Sequence, residues 1–205
     1  MNILAIGPHP DDMEYGCGGT LLKMSKSGVR IHLLVLTHGD MGGRPTIRQK
    51  EQESSARLLR AELHWGHWKD TELPLTKDLI HFIEKTIRDT RPDIIFSPFH
   101  NDTHQDHRTA SQATLTATRY HRNVLFYEVP TSVDFHPNVF VDIGQVLEKK
   151  FSLLKAHKSQ VYQTRVADLS ILENARSVAI FRGFQNRVKY AEGFVPLRLS
   201  LDCRS

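Results

Sequence analysis

Two short stretches of this chain carry side chains of the kind that bind and work a metal ion: Pro8-His9-Pro10-Asp11-Asp12-Met13-Glu14 and His104-Gln105-Asp106-His107. Catalytic zinc takes three nitrogen or oxygen ligands from protein and leaves a position open for water, a set that two histidines and one carboxylate supply. His9 and Asp12 stand three residues apart in a turn tightened by Pro10, so both can reach one ion. Asp11 between them points elsewhere, which leaves its carboxylate free to act as a general base on water near the metal. His104 and His107, again three apart, can both face the same crevice, one on the metal and the other on substrate. A turn followed by an aspartate-capped helix would explain the first stretch alone. A second His-x-Asp-His after another apolar run is not explained by capping twice.

The elements that must position these residues are legible from hydrophobic spacing. Ile3–Ile6, Ile31–Leu36, Asp93–Phe96 and Val124–Tyr127 are short, nearly continuous apolar runs, as strands covered on both faces must be. Between and after them, Leu79, Phe82, Ile83 and Ile87 recur at helical spacing, as do Ala110, Ala113, Thr114 and Ala117, and then Leu147, Phe151 and Leu154. The alternation predicts an α/β, Rossmann-like, mainly parallel sheet with helices on both faces, as a single domain over residues 1–205. Val139-Phe140-Val141 adds a strand near the edge. Both ligand stretches follow apolar runs, so they meet at the carboxyl ends of the strands, where open α/β sheets gather their loops. Thr37 to Arg44 reads as a glycine-rich loop bordering that site.

Composition excludes several classes. With 27 Lys and Arg against 23 Asp and Glu, the formal net charge is +4, and the basic residues are scattered rather than striped, which argues against nucleic acid as a partner. Met1 and Asn2 lead straight into the first run, and no apolar stretch approaches the ~20 residues of a membrane span, so no leader and no membrane association are expected. Cys17 and Cys203 have no CxxC spacing and fit a reducing, cytoplasmic compartment, Cys17 as a small buried residue. Gly16, Gly18 and Gly19 depart from the GxGxxG dinucleotide fingerprint and lie beside Asp11, Asp12 and Glu14, which would repel phosphate; close packing of the following helix is the simpler role. Of the twelve histidines, His32, His81, His121 and His136 lack neighbouring ligand types in sequence and are expected in surface or half-buried structural roles.

With these residues in hand, the chain resembles the LmbE-like (PIG-L-like) N-acetylglucosaminyl deacetylase family, whose members carry A-H-P-D-D-x-E after the first strand and a later H-P-D-H. The match is Pro8 to Glu14 and His104 to His107, with supporting similarity at Leu36-Thr37-His38-Gly39-Asp40, Thr46-Ile47-Arg48 with Glu51, and His157-Lys158-Ser159-Gln160. Pro8 replaces the usual alanine and Gln105 the usual proline; neither alters a ligand-type side chain.

The resemblance implies a zinc-dependent amidase. His9, Asp12 and His107 would be the metal ligands, Asp11 the general base, and His104 the residue facing substrate. It also implies one divalent ion per chain, zinc with iron as the alternative, and attack of metal-activated water on an acetamide carbonyl. Asp106 is similar to a family position that orients His104 and would raise its pKa, with capping of the next helix as its alternative role. Arg48 matches a family arginine that reaches the substrate pocket, and Asp70 a family aspartate that binds sugar hydroxyls, against surface charge and a solvated loop carboxylate respectively. Trp65 and Trp68 offer rings for a sugar face or for the core. His157 could lie near the site and is assigned no role. The implied substrate is an N-acetylglucosamine conjugate, such as a thiol-glycoside precursor, an antibiotic intermediate, a chitooligosaccharide or a lipid-linked sugar, and a homo-oligomer is the implied assembly. Other readings are hydrolysis of a different amide in a sugar conjugate, a non-catalytic metal-binding protein, and an iron oxygenase with a facial ligand set, for which Asp11 would have no use.

Overall fold

The computed structural model describes residues 1–25 and 27–200; Cys203 lies outside the described residues. Seven strands form one sheet in the order β3-β2-β1-β4-β5-β7-β6. They are β1 (Asn2–Gly7), β2 (Arg30–Thr37), β3 (Glu62–Trp68), β4 (Ile94–Pro98), β5 (Val124–Tyr127), β6 (Val139–Asp142) and β7 (Ala191–Arg198). The helices are α1 (Asp12–Ser25), α2 (Pro45–Leu59), α3 (Lys77–Thr90), α4 (Gln105–Ala117), α5 (Leu147–Ala156) and α6 (Ile171–Gln185). β1 to β5 are mutually parallel, whereas β7 runs antiparallel to both β5 and β6.

Alternation along β1 explains why its run is apolar throughout. Ile3 and Ala5 pack with Met13, Leu21, Ala56, Leu59, Phe151 and Ala179 from α1, α2, α5 and α6. Leu4 and Ile6 pack on the other face with Leu79, Ile83, Ala110 and Ala113 from α3 and α4. Each strand residue therefore leaves water on one face or the other, at about 25 cal/mol per Å² of apolar surface. The expected helical positions Leu79, Ile83, Ile87, Ala110, Ala113, Thr114, Ala117, Leu147, Phe151 and Leu154 are all buried, with Phe82 half-buried. β6 closes one edge, as its sequence position suggested.

Two departures from the sequence reading concern strands. β3 (ELHWGHW) and β7 (AEGFVPLR) lack a continuous apolar run, because β3 lies at an edge and β7 carries Glu192, Gly193 and Pro196. Glu192 is nonetheless buried, accepting from the α1 backbone N–H groups of Gly19 and Thr20 at 2.8 and 2.7 Å and from Lys150 Nζ at 2.6 Å. Its neighbour on α1, Gly16, has no room for a side chain: a Cβ there would lie 2.1 Å from Tyr127 Cδ2. Close packing of α1 on the sheet, rather than phosphate binding, accounts for the glycines.

The chain reverses its direction of travel across the sheet at β1. From there β2 and β3 are laid down to one side and β4 and β5 to the other. The crevice at such a switch point opens outside the carboxyl ends of β1 and β4, the two strands that lead into the ligand stretches.

Candidate active site and metal centre

Beyond β1, the loop of Pro8, His9, Pro10 and Asp11 turns directly into α1, with the His9 backbone N–H donating to Asp12 Oδ2 at 2.8 Å. Asp11 sits at φ 94°, a conformation that side-chain-bearing residues rarely adopt and that costs about 1–3 kcal/mol. One face of α2 holds it there. Gln52 Oε1 accepts the Asp11 backbone N–H at 3.2 Å, and Arg48 donates to Pro10 O at 2.6 Å and to Asp11 Oδ2 at 3.2 Å. Gln52 Nε2 and Ser55 Oγ then donate to Glu14 Oε1 at 2.7 and 2.6 Å. Residues 48, 52 and 55 recur at the i, i+4, i+7 spacing of one helix face, so α2 is the brace of the first loop.

Beyond β4, Asp102 organises the second stretch. Its Oδ1 accepts the His104 backbone N–H at 2.8 Å, and its Oδ2 lies 3.2 Å from His107 Nδ1 and accepts from Ser132 Oγ at 3.1 Å. His104, not Asp106, is the N-cap of α4, its Nδ1 accepting the Asp106 backbone N–H at 3.2 Å.

His9, Asp12 and His107 converge. His9 Nδ1 is 3.4 Å from Asp12 Oδ2, His107 Nε2 is 3.3 Å from Asp12 Oδ1, and the two ring nitrogens are 3.3 Å apart. Ligands at 2.0–2.1 Å from a tetrahedral zinc stand about 3.3 Å from one another, so these separations fit the ion. The outward nitrogens complete the pattern. His9 Nε2 meets Asp70 Oδ1 at 2.9 Å and Asp106 Oδ2 at 3.1 Å, and His107 Nδ1 meets Asp102, which is how metal-bound imidazoles are normally oriented.

The electrostatics point the same way. Burial pulls both imidazoles toward the neutral form, yet Asp106, Asp12 and Asp70 hold His9 well above its usual value, and Asp12 and Asp102 push His107 up to about 9. Against its own burial, Asp12 is held well below the carboxylate range by His107 and His9. So many carboxylates around two rings create a demand for positive charge that a dication meets.

A pocket of about 780 Å³ opens beside this cluster, lined by His9, Asp11, Asp12, Arg48, Asp70 and His104 at its floor. Its outer wall includes Gln160, Thr164, Val166, Leu169 and Asn174. Met41 and Gly42, from the glycine-rich loop after β2, line it as expected. Asp11 opens to this space with 28% side-chain exposure, while the protein closing around it pushes its carboxyl up to about 6 against the pull of Arg48.

Asp106 departs from its expected role, whereas Arg48 and Asp70 both line the pocket. The Asp106 carboxylate bonds His9 and the backbone N–H groups of Thr71 and Leu73, at 2.8 and 3.3 Å for the two N–H groups, rather than the His104 ring. Consequently His104 is not raised; burial and its neighbours His9 and His107 lower it. Arg48 is buried rather than a surface charge, its guanidinium already given to Gly39 O, Pro10 O and Asp11. Asp70 is likewise buried, held by His9 and the Met41 N–H rather than solvated. Trp65 stacks on His38 and Trp68 meets Phe82 edge-on, and neither lines the pocket. His157, left without a role, lines the pocket almost fully buried, 3.6 Å from Glu14, whose carboxylate raises it against the effect of burial.

Gln52 and Asp102 were missed altogether. Asp102 had one signal, a carboxylate five residues before a ligand-type histidine; Gln52 had none beyond its place in a helix.

The family is decided by the sequence around this geometry. A profile described as PIG-L, GlcNAc-PI de-N-acetylase, matches residues 4–118, which contain both ligand stretches and the α2 brace. The chain belongs to the PIG-L family. This PIG-L member is 33% identical to the diacetylchitobiose deacetylase of Thermococcus kodakarensis over 95% of the chain and 83% of that protein. Its fold superposes on the N,N'-diacetylchitobiose deacetylase of Pyrococcus horikoshii with a TM-score of 0.83 at 30% identity, covering 96% of this chain and 83% of that one. These relatives place it among N-deacetylases. A hydratase of Pseudomonas putida, GalB, superposes with a TM-score of 0.84 at 19% identity over 100% of this chain and 99% of its own, which shows a shared fold alone. Among the described residues, no helix is long and apolar enough to cross a membrane.

Proposed function

We propose that this PIG-L member removes the N-acetyl group from an N-acetylglucosamine-containing small molecule, with one divalent ion held by His9, Asp12 and His107. The observation that carries the reading is the convergence of those three donors, each imidazole braced by a carboxylate on its far side, with the Arg48-paired Asp11 lining the pocket beside them. Zinc bound there would supply a Lewis acid and lower the pKa of water to about 7; iron is the alternative that the same donors accept.

The chain's own groups do the rest. Asp11, ionised, takes the proton of the attacking water as its oxygen bonds to the acetamide carbon. It returns that proton to the nitrogen as the C–N bond breaks, giving acetate and a free amine. The His104 ring, with Nδ1 occupied by a backbone N–H, presents Nε2–H as a donor to the developing oxyanion. Arg48 and Gln52 keep Asp11 aimed. A volume of about 780 Å³ exceeds the need of a single acetamido sugar and supports a substrate with a further sugar or aglycone, in line with the named action of the two relatives on diacetylchitobiose.

The test is amine release from a panel of N-acetylglucosamine derivatives by metal-stripped and zinc-reconstituted protein, with Asp11→Ala alongside. Zinc-restored release that vanishes in the variant is the expected result. Full metal occupancy with no amide hydrolysis across the panel would favour a non-catalytic role or a different amide.

A further inference from the structure

A second two-histidine, one-carboxylate cluster lies at the other end of the sheet. His32, near the start of β2, pairs in register with Glu62, the first residue of β3, and Leu34 pairs with His64. Alternation along each strand puts the three side chains on the same face, opposite the face of Ile31, Leu33 and Leu63. His32 Nδ1 lies 3.2 Å from His64 Nε2 and 3.4 Å from Glu62 Oε2, and His64 Nε2 lies 3.8 Å from Glu62 Oε1. The expectation that His32 has no ligand-type neighbours is thus corrected: they come from the adjacent strand.

A proton shared between two neutral rings accounts for the 3.2 Å contact only. It leaves unexplained why a carboxylate with solvent available, at 66% side-chain exposure, lies against both of the same ring nitrogens. Three donors with separations near the ~3.3 Å edge of a tetrahedral zinc site account for all of it. The two shorter edges also match those of the catalytic cluster. His32 is buried while His64 and Glu62 open to solvent, so a fourth position is accessible to water.

We propose that His32, Glu62 and His64 form a second site for a zinc-class dication, independent of the catalytic centre, that ties the amino end of edge strand β3 to β2. β3 is the place where such a tie matters: it is paired on one side only, and its register with β2 shifts between Val35 and Thr37. The bound ion would add a cross-link to the ladder hydrogen bonds and the Leu33–Leu63 apolar face that already join the two strands.

The experiment titrates the metal-stripped full chain with zinc chloride against a chromophoric chelator, comparing wild type, His64→Gln, and a His9→Ala/His107→Ala variant that lacks the catalytic ligands. Two equivalents are expected for wild type and one for each variant. Cobalt(II) in the His9→Ala/His107→Ala protein should show the visible absorption of a tetrahedral ion. If the doubly substituted chain does not fold, the comparison of wild type with His64→Gln stands by itself, with deacetylation unchanged in the latter. One equivalent in wild type, or the same stoichiometry and affinity in His64→Gln, would overturn the proposal; neither result bears on the catalytic reading, which fails separately through Asp11→Ala.

Discussion

Gln52 accepts the backbone N–H of Asp11 at 3.2 Å while donating to Glu14 at 2.7 Å, so a single amide on α2 ties the turn that carries Asp11 at φ 94° to the first turn of α1. Replacing Gln52 with Met removes both bonds and lets Asp11 relax. Misplacement of a reacting group by about 1 Å can cost ~10²-fold, so kcat is expected to fall by about that factor with KM and zinc content little changed. Metal analysis beside steady-state kinetics checks this, and an equal loss of zinc would show that Gln52 supports the ligands rather than the base.

Arg48 opposes the burial that pushes Asp11 up to about 6. The proposed role of Asp11 as base needs its carboxyl ionised, so activity should fall as pH drops through its pKa. A cation in the adjacent cluster draws that pKa down in any variant, and the informative quantity is the difference between proteins in one metal state. Arg48→Met removes a positive charge, and the acid limb of kcat/KM should move to higher pH; an unmoved limb would remove Asp11 from the role of base.

Asp102 is the carboxylate on the outward nitrogen of His107, at 3.2 Å. Loss of such a partner typically weakens metal binding by about 10–100-fold. Asp102→Asn should lower zinc affinity by that amount in chelator competition, and so should Asp106→Asn, through His9. Had Asp106 served His104 instead, its substitution would alter turnover and leave zinc affinity untouched.

His104→Ala is expected to reduce kcat by about 10²–10³-fold, the usual cost of one oxyanion donor, with zinc retained. Rate and metal content measured on the same preparation decide it.

Gly16 and Gly18 provide a packing test. A Cβ at Gly16 collides with the fully buried Tyr127, whose hydroxyl donates to Ile6 O at 2.7 Å, whereas at Gly18 the nearest atom, Leu153 Cδ1, is 3.3 Å away. Gly16→Ala should destabilise by about 1–3 kcal/mol, the cost of overpacking, and Gly18→Ala by clearly less, as read from thermal unfolding.

His157 couples stability to pH. Its folded pKa is raised by Glu14, so its contribution is fully present below the unfolded value near 6.5 and is lost as pH rises through the folded value. His157→Gln should flatten the loss of stability above neutral pH.

The parallel core and the meeting of the two ligand stretches are legible in the chain. Ile3–Ile6 and Ile94–Phe96 must be apolar throughout because both faces of each strand are covered, and strands of that kind end in a common crevice. The three-residue spacings of His9 with Asp12 and of His104 with His107 are local features, written in the chain itself. Which carboxylate serves which ring depends on how the folded elements pack. Asp106 turns to His9 rather than to its neighbour His104 because β1 and β4 lie side by side, and the loop of Asp70 and Thr71 closes over them. The same packing decides that Gln52 reaches Asp11 and that His64 and Glu62 reach His32. Periodicity tells which face of an element is apolar, but polar partners are chosen by the packing of elements far apart in sequence, and no local pattern records that.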